Sequence, residues 1–505
     1  MSVIQDGYKI QFNSTPIPWT TRKFHLSIDD QQAVDNAVDS FLNSQVIERS
    51  PTQDSRFLSQ FFTIKKPNKI RPILDCRKIN QFVQCNHFKM EGVPALRDIV
   101  EPNDFLTKID LKDAYIVVPI HPDSRKFLSF SHKGTIYQYK SLAFGLSVAP
   151  RIFSKLMRYA LEPLRARGIR LVYYLDDICV LAKTKEEIQV HSQMVLQQLT
   201  NLGFLINYEK SDLEPKHTQE FLGFNFNTKT MKISVPQIKL SKLITRIRQL
   251  LKKTTTYSCR WIASLLGKMT SMIPAIGEAL LHVRYIQRDL AVALRQQHQN
   301  WEKPCQLSTM SWKELNWWLA QAPLLNGLPI IMKKEEKTPD IEIYVDASDT
   351  GWGVTSAKIE TAGYWSPEER ELSINVRELK TILFALQLHA KEFGDSLIKV
   401  YSDNITALKY AKKSGGTASQ YLQELVLAIY ELTARHNIQV QYQHVQGVKN
   451  VRADFLSRRK KPLYEWKLPR RFFKMIQAQW GPLKLDAFAT RENTRLPRFW
   501  SLCCI

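Results

Sequence analysis

The sequence has few cysteines for its length and no long apolar run. Its 505 residues include seven cysteines, which form no paired Cys-x-x-Cys framework with matching histidines. We therefore expect that the protein binds no zinc and that its thiols are reduced. Reduced thiols predict an intracellular protein, located in the cytoplasm or the nucleus and not secreted. No segment is long and apolar enough to cross a membrane, and the N-terminus, Met1–Asp6, is not a secretory signal. The cysteines lie at positions 76, 85, 179, 259, 305, 503 and 504.

Negative charge is also scarce relative to positive charge. The chain has 71 lysines and arginines against 48 aspartates and glutamates, which gives a formal net charge of +23. This excess predicts a polyanionic partner, and its spread through both halves is typical of a protein along which nucleic acid runs. The length leaves room for several domains.

Two adjacent aspartates interrupt an apolar, β-branched and aromatic run, Leu171–Leu181. Such runs predict two buried strands, with Asp176 and Asp177 at the turn of a hairpin. Burying two like charges side by side is costly unless a cation neutralises them. Hard oxygen ligands favour Mg²⁺ or Mn²⁺, so we expect a divalent metal here; for an Asp-Asp pair alone, a surface turn is the alternative.

A second pair of carboxylates lies upstream, in the segment Phe105–Tyr115. Its first residues predict a strand that ends near Asp110. Two-metal phosphoryl transfer needs carboxylates that converge from separate elements. Asp110 meets this need together with the hairpin aspartates, although Asp113 fits as well on sequence grounds alone.

Residues 174–177, Tyr-Leu-Asp-Asp, resemble the metal-binding hairpin of reverse transcriptases. The family pattern of an aspartate, two residues and then Asp-Ala-Tyr favours Asp110 as the upstream ligand. The resemblance implies that the ring of Tyr115 packs under the incoming sugar and excludes a 2′-hydroxyl. A core tyrosine is the alternative.

The same resemblance implies substrate contacts outside the acidic segments. Phe61–Asp75 predicts a β-hairpin whose basic tip would cover the triphosphate, and Ala143–Pro150 resembles the segment beside nucleotide and template, where a glycine permits close backbone approach. A downstream lysine matches the residue proposed to protonate pyrophosphate, and Phe221–Phe224 resembles the hairpin that grips the primer end. Solvated surface charge is the alternative for the lysines. The residues implied are Lys65, Lys66, Arg71, Phe144, Gly145 and Lys210 for substrate and Phe221, Leu222 and Gly223 for the primer grip.

Two helices are predicted between these segments. Apolar residues recur at helical spacing from Ile152 to Leu164 and stop before Gly168. Thr184–Glu187 is a capping box that opens a second helix, which ends at Gly203.

A further set of acids begins after residue 340. Its members follow or open predicted elements: a strand from Ile341, a helix over 374–393, a strand from Ile398 and a helix after Asn450. In order and spacing, after a polymerase, the set resembles ribonuclease H, another two-metal phosphodiesterase. The resemblance implies Asp346, Glu378, Asp403 and Asp454 as catalytic metal ligands, and His444, in a predicted loop before Gly447, near the scissile phosphate. A structural or solvated His444 is the alternative.

One triplet in this region has a competing interpretation. Asp349-Thr350-Gly351 spells the active-site sequence of aspartic proteases. It follows a strand already assigned to the nuclease, and we interpret it as a turn between hairpin strands.

The C-terminal segment narrows the resemblance. Trp480–Arg491, with Asn493 and Pro497–Phe499, is similar to the segment after ribonuclease H in DIRS-type retrotransposons, which integrate with a tyrosine recombinase. No recombinase or integrase signature is present, so a fragment, a truncated copy and an imperfect gene model stay open as interpretations. The basic run Arg458–Pro462 is typical of a nucleic-acid contact or a nuclear import signal.

The patterns together predict an α+β palm-type polymerase with an antiparallel palm sheet, followed by an α/β ribonuclease H-like domain. We expect fingers and palm in residues 1–235, a helix-rich thumb or connection in 236–335, a linker in 336–340, the nuclease in 341–458 and a basic extension in 459–505.

The implied function is RNA-directed DNA polymerase with fused ribonuclease H, using two Mg²⁺ or Mn²⁺ ions per active site. The expected partners are RNA template, DNA primer, RNA–DNA hybrid and dNTPs, and no membrane. One alternative is a palm-type polymerase acting on DNA templates, which would have no use for a hybrid nuclease. Another is an inactive nucleic-acid-binding scaffold, which would have lost acids that this sequence retains.

Overall fold

The computed structural model describes residues 5–20, 27–51, 56–66, 69–252, 257–330, 338–459, 467–487, 489 and 493–500; for 65, 66 and 69 it describes the backbone alone. The chain folds into two compact units. The first comprises residues 1–236 with 327–333, and the second comprises 237–326 with 334–505.

The first unit combines five helices with several small sheets in the described residues. The helices are α1 (Ile28–Asn43), α2 (Val93–Ile99), α3 (Pro122–Arg125), α4 (Ala149–Ala166) and α5 (Lys185–Asn201). The strands are β1 (Ile47–Arg49), β2 (Phe61–Lys66), β3 (Lys69–Leu74), β4 (Phe105–Lys112), β5 (Ser129–His132), β6 (Thr135–Tyr139), β7 (Arg170–Tyr174), β8 (Asp177–Ala182), β9 (Leu205–Ile206), β10 (Asp212–Lys216), β11 (Thr218–Phe221), β12 (Phe224–Asn227) and β13 (Lys232–Ser234), with a later strand, Leu328–Pro329, paired to β13.

The central sheet of this unit is antiparallel, with strand order β10-β4-β8-β7 and with β9 paired to β4. Strands β7 and β8 form the predicted hairpin. Tyr174 and Asp177 are register partners, so the turn consists of Leu175 and Asp176. Asp177 is therefore the first residue of a strand, one position beyond the turn to which both aspartates were assigned.

Helices α4 and α5 pack against this sheet and supply much of its core. Phe153 and Leu161 of α4 and Val195 of α5 are fully buried, as helical spacing of apolar residues requires. Helix α4 ends two residues before Gly168, which adopts a left-handed φ of +84° that favours glycine.

The N-terminus of α5 differs in one detail from the predicted capping box. The Thr184 hydroxyl accepts a hydrogen bond from Glu187 N (3.1 Å), as expected. The Glu187 carboxylate, however, accepts from Lys183 N (3.0 Å). The reciprocal bond of the box thus shifts one residue upstream, because the extended backbone before the helix presents that amide instead.

The second unit starts with a helical segment. Its helices are α6 (Gln237–Lys252), α7 (Cys259–Thr270), α8 (Arg284–Gln296) and α9 (Thr309–Ala320), and a short ladder joins β14 (Tyr257–Ser258) to β15 (Pro304–Cys305). In order along the chain, the Leu328–Pro329 strand is β16. The remaining elements are β17 (Ile341–Ala347), β18 (Gly351–Ser356), β19 (Glu360–Tyr364), α10 (Pro367–Arg370), α11 (Ile374–His389), β20 (Leu397–Ser402), α12 (Ile405–Lys412), α13 (Gln420–Arg435), β21 (Gln439–His444), α14 (Val451–Ser457), α15 (Arg470–Trp480), β22 (Asp486–Ala487) and β23 (Phe499–Trp500).

Five strands of the second unit form one mixed sheet, in the order β19-β18-β17-β20-β21. The β17–β18–β19 meander is antiparallel, whereas β17, β20 and β21 run parallel. Parallel neighbours need crossover connections, and α11 and the α12–α13 pair supply them. Helix α11 packs on β17 and β18, and α14 packs on the same two strands.

The helical segment shares its packing with this sheet domain. Leu281, three residues before the start of α8, is 3% exposed and belongs to the hydrophobic core formed by β17, β20 and α11. The guanidinium of Arg284 donates to the carbonyl oxygens of Lys413 (2.7 Å) and Ser414 (3.5 Å) after α12. Arg288 donates to the Gln420 side chain (3.0 Å). Apolar and polar contacts therefore join residues 237–326 to the sheet domain.

None of the helices in the described ranges has the length and apolar character needed to cross a membrane. The C-terminal helix α15 has no buried residue, and β22 and β23 pair in parallel beyond it.

We expect that an added methyl group at Gly353 destabilises the second unit. Its Cβ would lie 2.4 Å from the carbonyl oxygen of Ala453 in α14, closer than packed atoms can approach. Gly353→Ala should therefore lower the stability of this unit by about 1–3 kcal/mol. Gly267→Ala in α7 is the matched control, because nothing lies within 4 Å of the added carbon.

In the control, loss of backbone freedom in the unfolded chain should raise stability by about 0.5–1 kcal/mol. Differential scanning calorimetry of the full chain measures both variants. Equal melting temperatures for the two would contradict the close approach of strand and helix.

Candidate active sites

The three aspartates of the first unit meet near the end of the central sheet. Asp110 of β4 is the register partner of Asp177 of β8, and Asp176 lies in the adjoining turn. The main-chain carbonyl of Asp176 accepts a hydrogen bond from Leu111 N (2.8 Å), which ties the turn to β4. The structure thus places the three aspartates at neighbouring backbone positions, although their carboxylate oxygens do not all lie within 4.8 Å of one another.

The turn that carries Asp176 has an unusual backbone. Leu175 adopts a φ of +53°, in the left-handed region that residues with a branched side chain seldom occupy. Such a conformation costs about 1–3 kcal/mol and persists only where surrounding structure holds it. Here the Tyr174–Asp177 pairing closes the turn on both sides. Backbone strain of this kind clusters at functional sites.

The charges around these aspartates are only partly balanced by protein groups. Burial raises the pKa of Asp176, and the carboxylates of Asp177 and Asp110 raise it further, whereas Lys210 lowers it. Lys108 Nζ lies 2.7 Å from Asp177 Oδ1. Carboxylate oxygens are the ligands that Mg²⁺ prefers, so these residue types suit a divalent cation, although the three carboxylates lie farther apart than those of the second unit described below.

Two residues that contact the acids were missed by sequence reasoning. The Asn207 side chain donates from Nδ2 to Asp110 Oδ1 (2.8 Å), and Asp110 N donates to Ser211 Oγ (3.0 Å). Asn207 lies 97 residues from its partner, so no local pattern marks it. Lys108 was accessible to sequence reasoning, because it precedes Asp110 by two residues and strand periodicity places both on one face.

A cleft of about 340 Å³ opens beside the acids, and Tyr115 lines it. The ring centroid of Tyr115 lies 4.8 Å from that of Phe144 and 5.5 Å from that of Phe153. Burial raises the pKa of Tyr115 to about 12, so its hydroxyl stays neutral. The other lining residues with predicted roles are Arg71, Asp110, Phe144, Asp176 and Lys210, and the alternative ligand Asp113 also lines the cleft.

Gly145 adopts a left-handed φ of +106°, and a Cβ there would lie 3.1 Å from the Leu74 carbonyl oxygen. The close approach expected at this glycine is therefore made to the β2–β3 hairpin. Lys65 and Lys66 lie on β2, opposite Ile70 and Lys69, with their side chains outside the described part of the structure.

The predicted primer grip is a tight hairpin between β11 and β12. Phe221 and Phe224 are paired, and the turn residues Leu222 and Gly223 both have positive φ, of 52° and 78°. Side chains of Leu222 and Tyr174 both lie 3.7 Å from the position of a Cβ on Gly92. The turn of this hairpin and the end of β7 therefore both lie close to Gly92.

A second group of acids lies in the second unit. Asp346 comes from β17, Glu378 from α11 and Asp403 from the residue after β20. One carboxylate oxygen from each lies within 4.8 Å of the others, and the first two residues are each 3% exposed. Among the described residues, this is the group with the geometry to hold a metal ion.

The acids of this group repel one another strongly. Burial raises the pKa of Glu378 to about 9, with further increases from Asp346 and Asp403. Burial also raises the pKa of Asp346 to about 6, although a hydrogen bond from Ser457 opposes the shift. A divalent cation would relieve this repulsion, so these residues also fit a metal.

The other two predicted residues of this site are placed less centrally. Asp454 of α14 lies outside the group of three, and Arg458 Nε lies 2.6 Å from its Oδ1. His444 is exposed and is the last residue of β21, paired with Ser402. Its predicted location in a loop was wrong, because β21 extends to the full length of β20.

The Asp349-Thr350-Gly351 triplet connects β17 to β18, as the turn interpretation predicted. Asp349 Oδ1 accepts a hydrogen bond from Arg377 (2.7 Å), and Thr350 Oγ1 donates to the carbonyl of Ser457 (3.2 Å). The aspartate and the hydroxyl are thus engaged in contacts of the sheet domain.

Comparison with known proteins supports the same fold and domain type. Residues 64–226 match the family model of the reverse transcriptase (RNA-dependent DNA polymerase). This match includes β4, the β7–β8 hairpin and the three aspartates.

Curated relatives are polyproteins. The Transposon Tf2-3 polyprotein of Schizosaccharomyces pombe is 24% identical over 229 residues, which are 45% of this chain and 16% of the relative. The enzymatic polyprotein of Cassava vein mosaic virus is 24% identical over 429 residues, 81% of this chain and 62% of the relative. The chain thus spans about one sixth of the length of the transposon relatives.

Solved structures share the architecture. A foamy viral protease-reverse transcriptase in complex with dsDNA, in its dRH form, aligns with a TM-score of 0.55 at 17% identity, covering 85% of this chain and 72% of that chain. The foamy viral protease-reverse transcriptase in complex with RNA/DNA hybrid aligns with a TM-score of 0.54 at 16% identity, covering 90% and 58%. The predicted fold class, a palm-type polymerase followed by a ribonuclease H-like domain, is confirmed. The chain therefore contains a reverse transcriptase domain of the kind found in retrotransposon and viral polyproteins.

Proposed function

We propose that this protein is an RNA-directed DNA polymerase with a fused ribonuclease H, which copies RNA into DNA and degrades the RNA of the resulting hybrid. Two sets of acids in separate units support the proposal: three neighbouring aspartates at the end of the central sheet, and a compact group of three in the second unit. Asp110, Asp176 and Asp177 form the first, and Asp346, Glu378 and Asp403 form the second.

In the polymerase site, the three aspartates would hold two Mg²⁺ or Mn²⁺ ions. Bound there, the ions would activate the attacking 3′-hydroxyl and neutralise charge on the leaving pyrophosphate. Asn207 holds one oxygen of Asp110, and Lys108 holds Asp177, so that the carboxylates keep their places as substrate binds. Lys210 lies close enough to lower the pKa of Asp176 and is our candidate for the proton donor to pyrophosphate.

The cleft beside the aspartates is our candidate site for the dNTP. Arg71 lines it and offers a planar guanidinium for the triphosphate, with Lys65 and Lys66 on the facing strand. Tyr115 lies between Phe144 and Phe153, which limits its movement. A ring held in this way excludes a ribose 2′-hydroxyl by contact. Phe221, Leu222 and Gly223 would position the primer end.

In the nuclease site, Asp346, Glu378 and Asp403 would hold the metal ions, with Asp454 completing the set. His444 is exposed, as a residue that approaches the scissile phosphate must be. Nucleic-acid partners fit the net charge of +23.

We further propose the DIRS-type origin for this chain, because the segment from Trp480 to Phe499 resembles the region after ribonuclease H in those elements. The proposed domains are fingers and palm in 1–235, thumb or connection in 236–335, nuclease in 341–458 and a basic extension in 459–505, with the 336–340 linker partly outside the described residues. The basic residues Lys460 and Lys461 of the extension also lie outside them.

A catalytically inactive scaffold is the alternative. It would retain the basic surface while its acid clusters decayed. The buried, mutually repelling acids Asp346 and Glu378 argue against it, because an inactive descendant gains stability by losing them.

Replacing either central polymerase acid should abolish synthesis. Asp110→Asn or Asp176→Asn removes charge that compensates the metal ions, and we expect nucleotide addition to fall at least about 100-fold while hybrid binding persists. Primer extension on an RNA template with Mg²⁺ measures the first quantity, and fluorescence anisotropy measures the second. Asp39→Asn, at an exposed position of α1, is the control. Near wild-type extension by either mutant would refute the assignment.

Tyr115 should set the choice between deoxyribose and ribose. Tyr115→Ala removes the ring and should raise incorporation of rNTP relative to dNTP, whereas Tyr115→Phe keeps the ring and should preserve the ratio. Single-turnover incorporation of matched nucleotides measures both. If the alanine variant shows an unchanged ratio, Tyr115 is an ordinary core residue.

The two activities should be separable. Glu378→Gln should eliminate cleavage of labelled RNA in a hybrid and leave primer extension largely intact, because each site has its own acids. Glu371→Gln, at an exposed position before α11, should leave both intact. Retained cleavage in the Glu378 variant would mean that the nuclease acids are misassigned. Loss of both activities, with an unchanged circular dichroism spectrum, would mean that the two sites depend on each other.

A further inference from the structure

Ser457 contacts the nuclease acids although no motif marks it. It is the last residue of α14 and is 1% exposed. Its hydroxyl donates to Asp346 Oδ2 at 2.5 Å. The two residues are 111 positions apart in sequence, so the bond joins α14 directly to the first acid of the site.

The main chain of Ser457 is fixed from the other side. Its carbonyl oxygen accepts hydrogen bonds from Ser348 Oγ (2.6 Å) and Thr350 Oγ1 (3.2 Å). Ser348 and Thr350 belong to the turn that follows Asp346 on β17. The C-terminus of α14 is thus bonded both to the acid and to the turn beside it.

Steric contacts also restrict how closely α14 can pack against the sheet. A Cβ at Gly353 would lie 2.8 Å from Ser457 N, and a Cβ at Gly351 would lie 3.3 Å from Ser457 O. Because the helix backbone rests directly on these two glycines, it cannot move closer to β18, and the three hydrogen bonds of Ser457 prevent it from moving away.

We propose that Ser457 is a positioning residue of the nuclease, which fixes the Asp346 carboxylate and, through the same helix, sets Asp454 relative to it. The proposal rests on the proposed nuclease function. One Asp346 oxygen is held by the hydroxyl, which leaves the other oxygen to a metal ion. Outer partners of metal ligands typically contribute 10–100-fold to metal affinity or activity.

A purely structural role is the competing explanation. The Ser457 hydroxyl also lies 2.9 Å from the carbonyl oxygen of Asp454, a bond within its own helix. If the hydroxyl served only to make this bond within the helix, removing the hydroxyl would affect the folding of α14 and leave the metal requirement of the nuclease unchanged.

The test compares Ser457→Ala and Ser457→Cys with Thr433→Val. The cysteine variant fills the space of the serine but donates weakly, so it separates loss of the hydrogen bond from loss of volume. Thr433 is a buried residue of the same domain, and its hydroxyl donates a hydrogen bond to the Tyr430 carbonyl. It is remote in sequence from the acids. All variants are full-length, and the circular dichroism spectrum and melting temperature of each report whether the second unit is folded.

Two quantities are measured. The first is the Mg²⁺ concentration that half-saturates cleavage of a labelled RNA–DNA hybrid. The second is Mn²⁺ binding by isothermal titration calorimetry, in full-length chains that also carry Asp110→Asn and Asp176→Asn so that the nuclease site dominates. For both Ser457 variants we expect a rise of about 10-fold or more in half-saturating Mg²⁺ and in the Mn²⁺ dissociation constant. For Thr433→Val we expect no change.

The outcomes separate this inference from the proposed function. If the wild type cleaves and the Ser457 variants need no more metal, the positioning role is wrong and the nuclease stands. If the wild type does not cleave, the nuclease function is wrong, and calorimetry still decides the inference: weaker Mn²⁺ binding by the Ser457 variants supports it, and equal binding or none overturns it.

Discussion

Repulsion between buried carboxylates is the constraint on which the rest of this structure depends. In the nuclease site, buried Asp346 and Glu378 lie beside Asp403, and in the polymerase site buried Asp110 lies beside the more exposed Asp176 and Asp177. Like charges placed in this way repel one another, most strongly where water is excluded. The two sites meet the problem differently. In the polymerase site, Lys108 and Lys210 face the aspartates, whereas in the nuclease triad burial and repulsion raise the pKa of Glu378 to about 9.

Much of the fold could be predicted from local patterns, because the functional acids lie at the ends of strongly patterned elements. The run Leu171–Leu181 predicts a hairpin because apolar β-branched residues flank two charges. Glu378 was placed on a helix by apolar periodicity, and α11 begins at the predicted residue, Ile374. The predicted loop location of His444 was wrong, because the length of β21 is set by its pairing with β20, and a single sequence does not reveal that pairing.

The contacts that hold the acids could not be predicted in the same way. Asn207 meets Asp110 across 97 residues, and Ser457 meets Asp346 across 111. Each is a common residue type in an ordinary local context, so only the fold identifies it. The Asp349–Gly351 triplet shows the converse. Its sequence matches the active-site motif of aspartic proteases, but here it forms the turn that contacts the C-terminus of α14.

The contacts of Leu281 and Arg284 bear on where this chain can be cut. The charged segment before residue 340 marks a natural border in the sequence. The hydrophobic core of the sheet domain nevertheless includes Leu281. The Arg284 guanidinium also donates hydrogen bonds to the two carbonyl oxygens after α12. A nuclease excised at the sequence border would therefore carry an apolar gap and two unpaired carbonyls on its surface. A piece that keeps this core and these hydrogen bonds must therefore begin before Leu281.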